Sequence, residues 1–248
     1  MLEVTIPVLN EEETLVQNVL YAAAFIKNEI TTSFSIVIAD NGSTDRTEEF
    51  GHQLSLDHQE IKYIKVPKKG VGLALRTSWM QSKADIVGYM DLDLATDLKH
   101  LKVAYDLLQS NQCDIVNGSR LMKGSVVKNR SFIRGLSSRC FNMLVRSFLG
   151  VSLSDGMCGF KFFKREVSTR LINTGIKTDG WFFSTEILVK ALWLGVKLKE
   201  IAVLYHHDVS SKVDVLRLSS EYFSDILRLR QEKMKFIHDF NETEQKRR

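Results

Sequence analysis

The strongest constraint on the fold is a rhythm. Through the first half, short apolar runs alternate with amphipathic stretches of helical period. Leu2 to Val8, Ser35 to Ala39, Ile61 to Val66, Ile86 to Met90 and Asp114 to Asn117 read as strands. Residues 11 to 27, a stretch capped by Ser43 or Thr44, and residues 70 to 83 and 97 to 108 read as helices. Asn10 is the expected N-cap of the first, with acids in its opening turn. Alternation at this spacing predicts an α/β fold: a Rossmann-like, mostly parallel central sheet with helices on both faces. A chain of 248 residues with 44% apolar content builds one sizeable core rather than two full domains.

The second half is less regular. Phe132 to Leu149 reads as a basic amphipathic helix, Gly159 to Phe163 as a short strand, Thr185 to Leu194 as a helix and Leu198 to Tyr205 as a strand. Val213 to Ile237 reads as a long helix that interleaves apolar residues with Arg217, Arg228, Arg230, Lys233 and Lys235. The polar tail from Asn241 to Arg248 is expected to fray. The expected division is one domain over 1–212, then an amphipathic C-terminal helix and tail over 213–248.

Several function classes fall away. The net charge of +4 is modest and no basic stripe interleaved with aromatics runs along the chain, so no nucleic-acid partner is expected. Cys113, Cys140 and Cys158 are odd in number and lack CxxC spacing, which fits free thiols in a reducing compartment. Met1 to Thr5 carries no basic signal-peptide region, and the apolar runs fall far short of the ~20 residues that span a bilayer. The expectation is a cytoplasmic protein.

Ligands of open parallel sheets bind beyond the carboxyl ends of the strands. Three polar signals fall there: Pro7-Val8-Leu9-Asn10-Glu11, Asp40-Asn41-Gly42-Ser43-Thr44-Asp45, and Asp91-Leu92-Asp93. Alone, an Asp-x-Asp is more often a capped turn than a site; three such signals at one edge make chance a poor explanation. In an extended segment residues two apart face the same way, so Asp91 and Asp93 can share a hard divalent cation, Mg²⁺ or Mn²⁺, with the oxygens of a diphosphate. Lys68-Lys69-Gly70-Val71-Gly72 is a basic glycine turn opening a helix, suited to phosphate or to base edges. A dinucleotide fingerprint is disfavoured, because the third glycine is absent and the turn follows the third strand.

The ordered series Pro7, Asn10-Glu11, Asp40 to Asp45, Lys69-Gly70, Ala74, Arg76, Asp91-Leu92-Asp93 and Gly118-Ser119-Arg120 resembles family 2 glycosyltransferases of the GT-A fold. Arg134, Ser138-Arg139, Asn142, Ser154 to Lys161, Trp181-Phe182, Glu186 and Ser211-Lys212 are similar to the polyprenyl-phosphate branch. That branch includes dolichyl-phosphate glucosyltransferases and dolichol-phosphate mannose synthases, and Cys158-Gly159-Phe160-Lys161 leans toward the glucosyl side. The resemblance implies a GT-A catalytic domain and roles for matched positions. Pro7, Val8, Asn10, Glu11, Asp40 and Asn41 would line the nucleoside pocket, with Lys69, Gly70 and Arg76 also binding the nucleotide-sugar. Asp91, Leu92 and Asp93 would meet donor and metal, and Arg120 the diphosphate. Arg134 and Ser138 would place the acceptor phosphate, Asp155 would lie near the reacting centre, and Lys212 on a loop over the phosphates.

The implied reaction is inverting transfer of a sugar, glucose favoured, from a nucleotide-sugar to a polyprenyl phosphate. UDP is favoured as carrier, with GDP a second choice. The enzyme would sit peripherally at the cytosolic membrane face through its basic amphipathic helices; a homo-oligomer is compatible with the sequence. Three departures stand out: Asn41 for a second acid, Ala95 where some relatives carry Gln, and His206-His207 where mannose synthases carry Arg. A soluble saccharide or protein acceptor would instead need Asp155 as a base. A non-enzymatic nucleotide-sugar-binding subunit is the third reading.

Overall fold

The computed structural model describes residues 1–30, 32–129, 132–206 and 215–245. Its first half runs β1 (Leu2–Val8), α1 (Leu15–Glu29), β2 (Phe34–Asp40), α2 (Thr47–Asp57), β3 (Ile61–Lys65), α3 (Val71–Gln81), β4 (Ile86–Met90), α4 (Lys99–Gln109) and β5 (Ile115–Ser119). Then follow β6 (Val126–Lys128), α5 (Phe132–Leu149), β7 (Phe160–Lys164), α6 (Arg165–Asn173), α7 (Phe183–Trp193), β8 (Leu198–Ala202), β9 (Leu204–His206) and α8 (Val215–Gln245).

Seven strands form one sheet in the order β3-β2-β1-β4-β7-β5-β8, and β6 pairs with β9 in a separate ribbon. All pairings in the main sheet are parallel except those of β7, which runs antiparallel between β4 and β5. The order reverses between β1 and β4, which makes that point the crevice of the sheet. Pro7 helps to open it: proline has no N–H to donate, and the β1–β4 ladder stops at Thr5–Tyr89 while β1–β2 continues to Val8–Asp40.

Strand residues alternate between two cores, as a pleated sheet requires. Leu2, Val4, Ile6, Met90, Val116 and Phe162 pack against α1, α2 and α4. Val87, Tyr89, Ile115 and Phe163 pack against α3, α5, α6, α7 and α8 around buried Trp79.

Several sequence expectations are corrected. Asn10 does not cap α1: it is left-handed (φ 56°), and the helix starts at Leu15 without acids in its first turn. The reason lies in the neighbouring loop. Thr47 Oγ1 accepts from the Glu11 amide at 2.8 Å and Asp45 Oδ2 from the Glu12 amide at 3.2 Å, so residues 11 to 14 are held in a turn. Ser43 and Thr44 likewise do not cap α2, which begins at Thr47. The stretch read as one strand from Leu198 divides at Val203 into β8 and β9. Helix α8 continues to Gln245, through part of the expected frayed tail. Elements β6 and α6 lie where no element was expected.

Candidate active site

The β1 and β2 ends are laced together by side chains that satisfy loop amides. Asn10 Oδ1 accepts from the Thr44 amide at 2.8 Å, and Ser43 Oγ accepts from the Asn10 amide at 3.0 Å. Buried Asp40 accepts from the Ser43 amide at 2.8 Å and from the Tyr63 hydroxyl at 2.6 Å. Asn41 Oδ1 accepts from the Gly70 amide, joining this edge to the glycine turn. A Cβ on Gly70 would meet the Asp179 carbonyl at 2.7 Å, so the turn seats closely on the segment before α7. Arg76 is held there by Asp179 and by the Ile176 carbonyl, and Lys68 pairs with Asp179 at 2.8 Å. Lys69 is exposed beside them.

The structure corrects the geometry expected for Asp91-Leu92-Asp93. The segment is a turn rather than an extended strand: the Leu94 amide donates to the Asp91 carbonyl at 3.2 Å, and Leu94 takes φ 51°. Leu92 turns its side chain into the core beside α1, while Asn18 donates to its carbonyl at 3.1 Å. Val8 is likewise a core side chain. Asp93 is exposed, and its Oδ1 accepts from the Ala95 amide at 3.0 Å. The two carboxylates still interact: burial, then the Asp93 charge, pushes the Asp91 carboxyl up to about 7, against the pull of Arg120 and Lys161.

These residues suit a divalent cation that arrives with a diphosphate. No described side chain donates a hydrogen bond to the Asp91 carboxylate. Gly159 leaves the space it fills; a methyl there would overlap Asp91. Among the described residues no cluster of three or more His, Cys, Asp or Glu could hold a metal alone. Mg²⁺ and Mn²⁺ are commonly held by one or two carboxylates, the shell being completed by phosphate oxygens and water.

Arg120, at the end of β5, is bound in a fork by Asp155. Its Nε donates to Oδ2 at 2.7 Å, its Nη2 to Oδ1 at 3.0 Å and its amide to Oδ2 at 3.1 Å. Its guanidinium also lies over the Tyr205 ring, with the centroid at 5.3 Å. Asp155 is fully buried. Burial would raise its pKa, but the Arg120 charge and hydrogen bonds outweigh that and hold it at about 2. Glu200 on β8 steadies the same turn, accepting from the Ser154 amide at 2.8 Å, and Asn117 donates to the Asp155 carbonyl at 2.9 Å.

Helix α5 reaches this centre through Asn142. Its amide donates to the Ser138 carbonyl at 2.9 Å, and its oxygen accepts from the Gly156 amide at 2.8 Å. Ser138 therefore lies one turn of helix from the residue that fixes the Asp155 turn. Pro7 and Glu11 border the β1 edge of the crevice, with Glu11 Oε2 accepting from Thr14. The Arg134 side chain and Lys212 lie outside the described residues.

Two neighbours had no assigned role in the sequence reading. Lys161 on β7 is fully buried, donates to the Cys158 carbonyl, and burial draws its pKa down to about 8. Its signal was a lysine amid Phe160, Phe162 and Phe163 in a core strand. Tyr205 on β9 bridges to Thr96 just beyond the aspartates. Nothing in its local sequence marks that pairing.

The architecture is that of GT-A glycosyltransferases. Glucosyl-3-phosphoglycerate synthase from Mycobacterium tuberculosis, crystallised with Mn²⁺, UDP and glucosyl-3-phosphoglycerate, aligns at TM-score 0.65. The alignment is 17% identical and covers 93% of this chain and 79% of that one. The profile of glycosyl transferase family 2 matches residues 3–172, and the chain belongs to that family. Glycosyltransferase AglD of Haloferax volcanii is 33% identical over 227 residues, 91% of this chain but only 36% of AglD. The dolichyl-phosphate beta-glucosyltransferase of Dictyostelium discoideum is 30% identical over 241 residues, 92% of this chain and 73% of that enzyme. The yeast enzyme of the same name is 28% identical, with 92% and 74% covered.

Proposed function

We propose that the chain transfers a sugar, glucose in the favoured reading, from a UDP-sugar to a polyprenyl phosphate with inversion at the anomeric carbon. The carrying observation is the Arg120–Asp155 fork. An acid held at about 2 and bound by three donors from one arginine is a poor general base at neutral pH. A sugar or protein hydroxyl needs a base to become a nucleophile. A phosphate monoester does not, being already anionic, and the dolichyl-phosphate glucosyltransferase relatives favour that acceptor.

One acceptor oxygen forms a bond to the anomeric carbon as the bond to the donor's β-phosphate oxygen breaks. The electron pair leaves with the nucleoside diphosphate. A cation at Asp91 and Asp93, Mg²⁺ or Mn²⁺, would neutralise charge on that leaving group. Asn41 and the Gly70 turn border the nucleoside side of the crevice, while Ser138 and Arg134 on α5 would orient the acceptor. Lys212 would cover the phosphates.

The acceptor's tail favours work at a membrane surface, the cytosolic face in the reading proposed. The described helices include none long and apolar enough to cross one. Ile133, Leu136 and Met143 are exposed on α5 and Phe223, Leu227 and Met234 on α8, with Arg139, Arg230 and Lys235 exposed among them. Apolar residues beside cations fit a surface that is apolar within and anionic outside.

The donor half is tested by binding and turnover. Asp93→Ala should abolish Mn²⁺-dependent binding of UDP-glucose by calorimetry and lower transfer at least 100-fold, a size typical of lost electrostatic stabilisation of the departing charge. Full activity in that variant would remove the metal from Asp93.

A further inference from the structure

Lys161 is a buried ammonium that the reaction above does not use. It lies on β7, in register with Tyr89 on β4 and Asn117 on β5, between the strand leading to Asp91 and the strand leading to Arg120. Its Nζ donates to the Cys158 carbonyl, and its charge lies 5.6 Å from the centroid of the Tyr89 ring. The Tyr89 hydroxyl donates to the same carbonyl at 3.4 Å. Two donors, one from β7 and one from β4, therefore converge on one backbone oxygen in the turn between Asp155 and β7.

That turn carries both contacts on which the site depends. Upstream of Cys158, Asp155 grips Arg120; downstream, Gly159 lies against the Asp91 carboxylate, and the Asp91 amide donates to the Gly159 carbonyl at 3.2 Å. Burying a charge is costly unless something compensates it. The charges of Asp155 and Asp91 offset that cost only in part, and the Arg120 charge adds to it. An apolar residue would suit the core side of β7 at less cost, so the lysine needs another reason to be there.

We propose that Lys161 is a positioning residue for the donor site: by tying the Cys158 carbonyl it seats Gly159 against Asp91 and Asp155 against Arg120. This rests on the reading of Asp91 and Asp93 as the metal and diphosphate site. The sign of the effect separates positioning from plain electrostatics. Removing a buried cation beside Asp91 would, by charge alone, tighten a divalent ion. Loss of positioning weakens it, by the roughly 10–100-fold typical of residues that orient metal ligands.

The test uses the full chain with UDP present, with Lys161→Met and Lys161→Arg compared by Mn²⁺ titration followed by electron paramagnetic resonance. A second readout, in metal-free protein, is solvent exchange of the Arg120 Nε–H by NMR. Lys161→Met should raise the Mn²⁺ Kd at least about tenfold and speed Arg120 Nε–H exchange, and Lys161→Arg should restore both. If Lys161→Met does not fold, Tyr89→Phe removes the other donor to that carbonyl and should move both readouts the same way, less far. An unchanged or lower Mn²⁺ Kd with unchanged Arg120 exchange overturns the proposal. If the wild type binds no Mn²⁺ even with UDP present, the metal reading fails, and Arg120 exchange alone still decides the role of Lys161.

Discussion

At Gly159 one absent methyl decides where the Asp91 carboxylate can lie. Any Cβ there overlaps it, so Gly159→Ala must displace the carboxylate or the strand start. Misplacing a reacting group by about 1 Å costs on the order of 100-fold in rate. Gly159→Ala should therefore lower transfer by about that factor while circular dichroism stays that of the wild type; wild-type kinetics would detach Asp91 from the site. Asp91 and Asp93 were legible in the sequence because metal and phosphate chemistry demands closely spaced carboxylates, while Arg120 and Asp155 were marked only by the family resemblance. Their present partners were not. Asp155 is 35 residues beyond Arg120, and no local pattern reveals that its carboxylate grips the guanidinium rather than awaiting a substrate. Likewise Asp179, which nothing marked, occupies Arg76.

The elements divide along the same line. Strands β1 to β5 and helix α5 were readable because period and turn chemistry are local. The antiparallel insertion of β7 was not, since strand direction is set by its partners β4 and β5. The turn at Asp91 escaped for a related reason: the contacts that hold it, the Leu94 amide on the Asp91 carbonyl and Asn18 of α1 on the Leu92 carbonyl, are not written in the aspartate spacing. Helix α8 is fastened to α7 by a buried cluster. Glu186 pairs with Lys190 at 2.7 Å and with Arg228 at 3.1 Å, and accepts from Thr178. Burial would raise the Glu186 pKa, but these partners lower it from 4.5 to about 2. A depressed carboxylate contributes stability that is complete above its unfolded pKa and is lost as pH falls through the folded value. The melting temperature should thus decline as pH drops from about 4.5 toward 2, and Glu186→Gln should be less stable at pH 7 with a shallower acid limb. Scanning calorimetry across that range checks this. An acid limb identical in wild type and variant would mean the cluster carries no net stability.

For the whole molecule, the sheet crevice and the α5–α8 pair belong to one design. Asn142 links α5 to the Asp155 turn, and Phe148 packs edge-on against Phe223 of α8, so the exposed apolar face and the site share a helix. Leu136→Glu with Met143→Glu should abolish co-sedimentation with vesicles containing anionic lipid, leaving UDP-glucose binding unchanged. Equal sedimentation of variant and wild type would place the membrane contact elsewhere. In the proposed reaction the acceptor arrives as an anion and needs no base. Its most direct test offers the full chain UDP-[¹⁴C]glucose and Mn²⁺ with either a polyprenyl phosphate or the matching dephosphorylated polyprenol, and measures label in the organic phase. Labelled lipid is expected from the phosphate and none from the alcohol; equal transfer to the alcohol would overturn the anionic-acceptor reaction and make Asp155, or another group, a base.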